Sequence, residues 1–168
     1  MAHIMTRTVT SGLIALAALA AASAARADEA AEAAAYCRRA GDDNRIHAIP
    51  DALLPKAAAL LGVTPPPDGR LRGVWRCMDG RVMVCIPGGE RHCGRADTHV
   101  TPSPEAQEFC RQHPDADVIP RWATGRDNIF AWRCRNGKPA IAGQARSVDR
   151  RGFVAEYWRA TDGTGAGP

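Results

Sequence analysis

An aromatic-Cys-Arg step occurs twice in this chain, and the same landmarks follow it each time. Tyr36-Cys37-Arg38 leads through an acidic stretch to Ile49-Pro50, and then to Trp75-Arg76-Cys77 with Asp79-Gly80 just behind. Phe109-Cys110-Arg111, Ile119-Pro120, Trp132-Arg133-Cys134 and Asn136-Gly137 repeat that order. A duplicated unit with one cysteine pair per copy reads as a disulfide-stapled architecture. If both copies fold alike, Cys37 pairs with Cys77 and Cys110 with Cys134, each tying a helix end to the apolar face of its own hairpin. Cys85 and Cys93 are then left to bridge the short Pro87-Gly88-Gly89 loop.

Residues 1–27 stand outside the duplication and read as a signal peptide. Arg7 supplies a positive start, Gly12 to Ala22 is an apolar run, and Ala25-Arg26-Ala27 places small residues where a signal peptidase reads, with cleavage before Asp28. The apolar run falls short of the ~20 residues that span a bilayer, and no later segment approaches it, so no membrane span is expected in the mature chain. Six cysteines, an even number, behind an export signal imply an oxidising compartment, periplasmic or secreted, and disfavour a nucleophilic thiol. The net charge of +4 falls to about +2 once Arg7 and Arg26 are removed, which is no nucleic-acid footprint.

Local patterns place these landmarks on elements. Asp28 to Tyr36 is Ala- and Glu-rich and predicts a short helix ending near Cys37. In the second copy Ser103 is the expected N-cap, Pro104 the first helical residue, and the helix runs into Phe109-Cys110. The first copy is longer by an apolar helix over Asp51 to Leu61 and the Pro-rich turn ending at Gly69. Asp79-Gly80 and Asn136-Gly137 are the dipeptides that type I′ hairpin turns prefer. That turn pairs Met78 with Arg81, Cys77 with Val82, Arg76 with Met83, Trp75 with Val84 and Val74 with Cys85. Trp75, Cys77, Val82 and Val84 then share one face, and Arg76, Met78, Arg81, Met83 and Cys85 the other. In the second hairpin Phe130, Trp132, Cys134 and Ile141 oppose Arg133, Arg135, Lys138 and Ala140. A last strand is expected over Phe153 to Trp158, with Tyr157 and Trp158 on opposite sides so that at most one joins the core.

Most candidate chemistry yields to a simpler reading. His92, Cys93 and His99 lie close together with Cys85 and Glu90 nearby, but the spacing is not that of a zinc knuckle and oxidation removes the thiolates, so no metal site is expected. The absence of Cys-x-x-Cys removes c-type haem attachment and thioredoxin-like chemistry, and no cofactor is implied. Ser103 and Ser147 are not in a nucleophile elbow. Asp42, Asp43, Asp115 and Asp117 recur after the first cysteine of each copy and read as turn formers, and His47 and His113 as surface residues. Trp75 and Trp132 share a face with a cysteine and read as core. What remains is the opposite hairpin face, where Arg76, Arg81, Arg133, Arg135 and Lys138 would present cations to an acidic glycan, a phosphate or a partner protein.

The run Cys37 to Pro50, the Trp-Arg-Cys hairpins and the closing segment Val148 to Trp158 together resemble a family of small exported, cysteine-containing alphaproteobacterial proteins with no assigned activity. The resemblance carries over no cofactor or catalytic residue. A weaker likeness links the Cys-x-Asp-Gly hairpins to periplasmic lysozyme inhibitors, although two helices do not suit that all-β pattern. The expectation is one α+β domain over residues 28–159, built from two tandem helix-plus-hairpin units (28–100 and 101–159) with antiparallel sheet, and a disordered tail over 160–168. The function expected is a non-catalytic binding or inhibitor module in the cell envelope, acting on an unknown protein or an anionic glycan. Its rivals are a small periplasmic hydrolase with a site between the two units, and a structural envelope protein.

Overall fold

The computed structural model describes residues 28–67 and 69–163. The expected signal peptide and the last residues of the Gly-rich tail lie outside the described residues. Residues 28–40 are helical and form α1. Ala30, Ala33, Ala34 and Cys37 recur at helical spacing and pack inward, while Glu29, Glu32, Arg38 and Arg39 are exposed. Then come β1 (Asp43–Ala48), a 3-10 turn (Asp51–Leu53), α2 (Leu54–Leu61), β2 (Val74–Met78) and β3 (Arg81–Cys85). They are followed by α3 (Pro104–Gln112), the one-turn α4 (Arg121–Thr124), β4 (Phe130–Arg135), β5 (Lys138–Gln144), a second 3-10 turn (Ala155–Tyr157) and β6 (Arg159–Ala160). Helices and antiparallel sheets make this an α+β fold. Ser103 caps α3 as its position predicts, its Oγ accepting from the Ala106 N–H at 3.0 Å.

The hairpin register follows the turn chemistry. Val74 faces Cys85, Trp75 faces Val84, Arg76 faces Met83, Cys77 faces Val82 and Met78 faces Arg81. Asp79 and Asn136 have φ of 56° and 50°, and the glycine after each is also positive, as a type I′ turn requires. Each tip is held in the same way. The Gly80 N–H donates to Gly41 O at 2.7 Å and the Asp79 N–H to Asp42 Oδ1 at 3.0 Å. At the second tip the Gly137 N–H donates to Pro114 O at 3.0 Å and the Asn136 N–H to Asp115 Oδ1 at 3.2 Å. Asp42 and Asp115 therefore belong to the turns.

The sulfurs pair as expected: Cys37 with Cys77, Cys85 with Cys93, and Cys110 with Cys134. With sequence separations of 40, 8 and 24 residues, chain-entropy arguments assign these bridges about 4, 2.5 and 3.5 kcal/mol respectively.

The strands depart from expectation in several places. The strands form a four-stranded sheet in the order β1-β2-β3-β6 and a separate β4-β5 pair. Strand β1 arises from the acidic stretch read as a turn, and only Asp42 plays that part. The segment Phe153 to Trp158 is not a strand: it makes isolated bridges at Phe153 and Val154 and then a 3-10 turn. That turn re-aims the side chains, so Tyr157 and Trp158 are both buried. Ala160, expected to open the tail, is buried in β6, where the chain rejoins the first sheet against β3. The second unit thus ends on the sheet of the first.

That return buries both faces of the β2–β3 hairpin. One face, with Trp75, Cys77, Val82 and Val84, packs against α1, α2 and Ile86. The other, with Met78, Met83 and Cys85, packs against Cys93, Ile129, Phe153, Val154, Tyr157 and Trp158. A third cluster, around Cys110, Cys134, Ile119 and Trp132, joins α3 and α4 to the second hairpin. Arg76 lies on the second of these surfaces and is fully buried. Its guanidinium carbon sits 4.1 Å from the centroid of the Phe153 ring and 4.6 Å from that of Trp158, and Nη2 is paired with Asp149 Oδ2. The other Asp149 oxygen accepts from the N–H groups of Arg151 and Phe153, so one carboxylate holds both the cation and the loop that covers it.

Asp149→Asn removes the counter-charge from a buried guanidinium and should destabilise the protein by about 3–5 kcal/mol. Arg76→Met combined with Asp149→Asn should lose much less than the sum of the single changes. Urea unfolding of the three variants measures this, and a loss under about 1 kcal/mol for Asp149→Asn would contradict the pairing.

Candidate functional site

The predicted cationic face does not assemble. Arg76 is interior, so the expectation that it meets a ligand is corrected by the covering segment 148–160. Arg81 is one third exposed and lies 3.9 Å from Asp79. Arg133 is half-buried, its Nε out of contact with solvent, whereas Arg135 and Lys138 are exposed and directly opposite each other across the β4–β5 turn. Arg76 and Arg81 are on one sheet and Arg133, Arg135 and Lys138 on the other.

A cleft elsewhere combines aromatic and cationic side chains. It has a volume of about 530 Å³ and lies among the Gly88–Arg91 loop, the 117–122 segment leading into α4, and strands β4 and β5. Ile119 and Trp132, both buried, line it together with half-buried Phe130 and exposed Ala142. Trp122 and Val118 also line it, yet they are 68% and 70% exposed. Pro120 N-caps the single turn of α4, and its extended backbone (φ −61°, ψ 148°) sets Trp122 one residue into that turn. Phe109 supports the indole edge-on at 6.1 Å.

Charge enters from two sides. The Glu90 carboxylate is held by Arg121 Nε at 3.3 Å and Arg146 Nη2 at 3.0 Å, and remains 70% exposed. Arg121 Nη1 donates to the carbonyls of Arg126 and Asn128, which aims its Nε edge at Glu90. Burial works against the charge on Arg146, as does Arg121 beside it, and together they hold its pKa below the ordinary arginine value despite Glu90. Arg126 is exposed at the cleft and has no carboxylate partner among the described residues. Sequence reasoning missed this group. The legible signal was a mismatch between copies: directly after Ile-Pro-x the first copy has Ala52 where the second has Trp122.

Two further polar clusters complete the survey. At the junction of the halves, Asn128 is buried and fully bonded: its amide donates to Asp97 Oδ2 at 3.1 Å and to His99 O at 3.2 Å, and its oxygen accepts from Phe130 N and Trp132 Nε1. Burial tends to raise the Asp97 pKa, but bonds from His99 and Asn128 outweigh it and hold it low. His99 and His92 each meet an aspartate, Asp97 at 2.7 Å and Asp127 at 3.2 Å. Neither imidazole is bonded to a hydroxyl among the described residues, where Ser103 Oγ is committed to its helix cap and to Ala123 O. No group of three metal-ligating side chains occurs among the described residues, and Cys85 and Cys93 are joined in a disulfide.

The other cluster lies where β1 meets α1. His47, expected as an ordinary surface residue, stacks on Trp75 at 4.4 Å, with Tyr36 edge-on to both. Asp43 accepts from Tyr36 Oη at 2.5 Å and from the Arg45 N–H at 3.0 Å, and lies 3.3 Å from His47 Nε2. The Tyr36 hydroxyl above all, then the Arg45 N–H, holds the Asp43 carboxyl well below the usual carboxylate range.

Comparison of the chain with protein-family models, with curated proteins and with solved structures found no match.

Because the folded pKa of Asp43 lies below its unfolded value, ionised Asp43 contributes stability above that unfolded value and loses it as pH falls. The stability difference between the protein and its Asp43→Asn variant should therefore shrink from about pH 5 to about pH 2. Urea unfolding across that range checks it, and a constant difference would contradict the assignment.

Proposed function

We propose that this protein is a non-catalytic, exported binding or inhibitor module, periplasmic or secreted, whose ligand or partner seats in the cleft beside Trp122. The observation that carries this reading is the exposure of Trp122 and Val118 on the lining of one cleft. An indole left in water forgoes about 2 kcal/mol of burial, and here it stands beside aromatic and cationic groups of the kind that dominate binding surfaces. Three disulfides support an oxidising compartment, and the N-terminal segment with its apolar run and small-residue cleavage site supports export. Trp122 and the cleft also depend on the second hairpin, which the Cys110–Cys134 bridge fastens to α3, so the staple pre-organises the seat.

The hydrolase reading has the two His–Asp pairs in its favour. Their imidazoles lie outside the cleft lining and lack a bonded nucleophile among the described residues, so the binding reading accounts for more of the surface.

Amide spectra of the exported form recorded with size-fractionated periplasmic extract should shift at Val118, Trp122, Phe130 and the Trp132 indole. Trp122→Ala should abolish those shifts with an unchanged thermal midpoint. Shifts that avoid the cleft, or that persist in Trp122→Ala, would contradict the proposal.

A further inference from the structure

The Glu90 carboxylate occupies a position that a ligand carboxylate would fill. Arg121 Nε and Arg146 Nη2 converge on one of its oxygens, Oε2, at 3.3 and 3.0 Å. Arg146 Nη1 is buried out of solvent contact with no hydrogen-bond partner. The pair is a two-arginine seat filled from within the chain. Glu90 is a weakly held occupant. It is 70% exposed, and its loop turns through Gly88 and Gly89, the latter with φ of +57°. Glu90 is the exposed member of both pairs, Arg121 and Arg146 being 22% and 14% exposed, so solvent screens its side of the contact and leaves it open to exchange with an incoming anion. The loop backbone stays anchored while the side chain swings: Tyr157 Oη donates to Glu90 O at 3.0 Å, and Cys85–Cys93 closes the loop at its base.

The charges around the cleft favour an anion. Arg121 and Arg126 line the cleft with Glu90 and Asp117, Arg146 reaches Glu90 from beside it, and displacing the Glu90 side chain leaves a local positive excess. Trp122 adds an exposed indole to the same lining, a surface suited to the apolar C–H face of a sugar ring.

Resting on the cleft as the binding site, we infer that its ligand is an acidic saccharide. Its ring stacks on Trp122, and its carboxylate displaces Glu90 from Arg121 and Arg146. Glu90 is thus a built-in competitor that lowers affinity and excludes neutral sugars.

The test titrates the full exported chain with uronate trisaccharides (galacturonate, mannuronate and guluronate) and with their methyl esters, following tryptophan fluorescence and heat. At least one uronate should bind, its uncharged ester roughly tenfold or more weaker, with affinity falling as salt rises. Glu90→Ala should bind that uronate roughly threefold to tenfold more tightly, and the near-isosteric Glu90→Gln should do the same with the fold preserved. Equal binding of ester and acid, with both Glu90 variants neutral and Trp122→Ala impaired, would overturn the acidic ligand while leaving the cleft as a binding site. Absence of binding by all three uronates would overturn the inference too, and shifts at the cleft with periplasmic extract would still judge the site on its own.

Discussion

Everything on the covered side of the first sheet depends on a charge inside the protein. Arg76 extends from the middle of β2 into a layer of Met83, Phe153 and Trp158, where an unpaired cation would be intolerable. Asp149 neutralises it, and the same carboxylate closes the turn that carries Phe153 over the guanidinium. The C-terminal segment therefore has one registration against the sheet that satisfies the charge, and β6 pairing with β3 follows from it. Burial pulls the Arg76 pKa down and Asp149 opposes that pull, and the guanidinium remains a cation lying against both rings of the edge-to-face Phe153–Trp158 pair.

Around that pair the molecule is stapled rather than deeply cored. Cys37–Cys77 and Cys110–Cys134 each fix a helix end to a hairpin, and the two turn tips repeat the same carbonyl and carboxylate contacts. The two halves differ where they have different work. The first gains β1, α2 and a covered second face. The second keeps a two-stranded hairpin with a single-turn helix beside it, and there the exposed Trp122 and the cleft occur.

The features legible in the sequence were those set by short-range chemistry. Asp79-Gly80 and Asn136-Gly137 demand positive φ, so the turns, the register and the shared faces were readable, and the doubled spacing ordered the sulfurs. What escaped was which hairpin face another segment would cover, because that is decided by residues more than sixty positions away. The β2–β3 hairpin held a clue: Met78, Met83 and Cys85 share the face of Arg76, and a hairpin apolar on both sides signals double burial. Trp158 defeated the alternation argument because a 3-10 turn, rather than a strand, carries it inward. The cleft was illegible for a similar reason. Glu90 and Arg146 come from two separated loops and Arg121 from the start of α4, and only the Trp122-for-Ala52 mismatch marked the place.

Relocating the binding surface from the arginine-bearing hairpin face to the Trp122 cleft rests on Arg76 being internal. The Nε–H resonance of Arg76 tests that directly, assigned by its loss in Arg76→Met combined with Asp149→Asn. Packed against the rings of Phe153 and Trp158, it should be shifted well away from the free-arginine position by ring currents and should exchange with solvent slowly. A resonance at the free-arginine position, exchanging as fast as that of exposed Arg135, would place Arg76 at the surface and contradict the account.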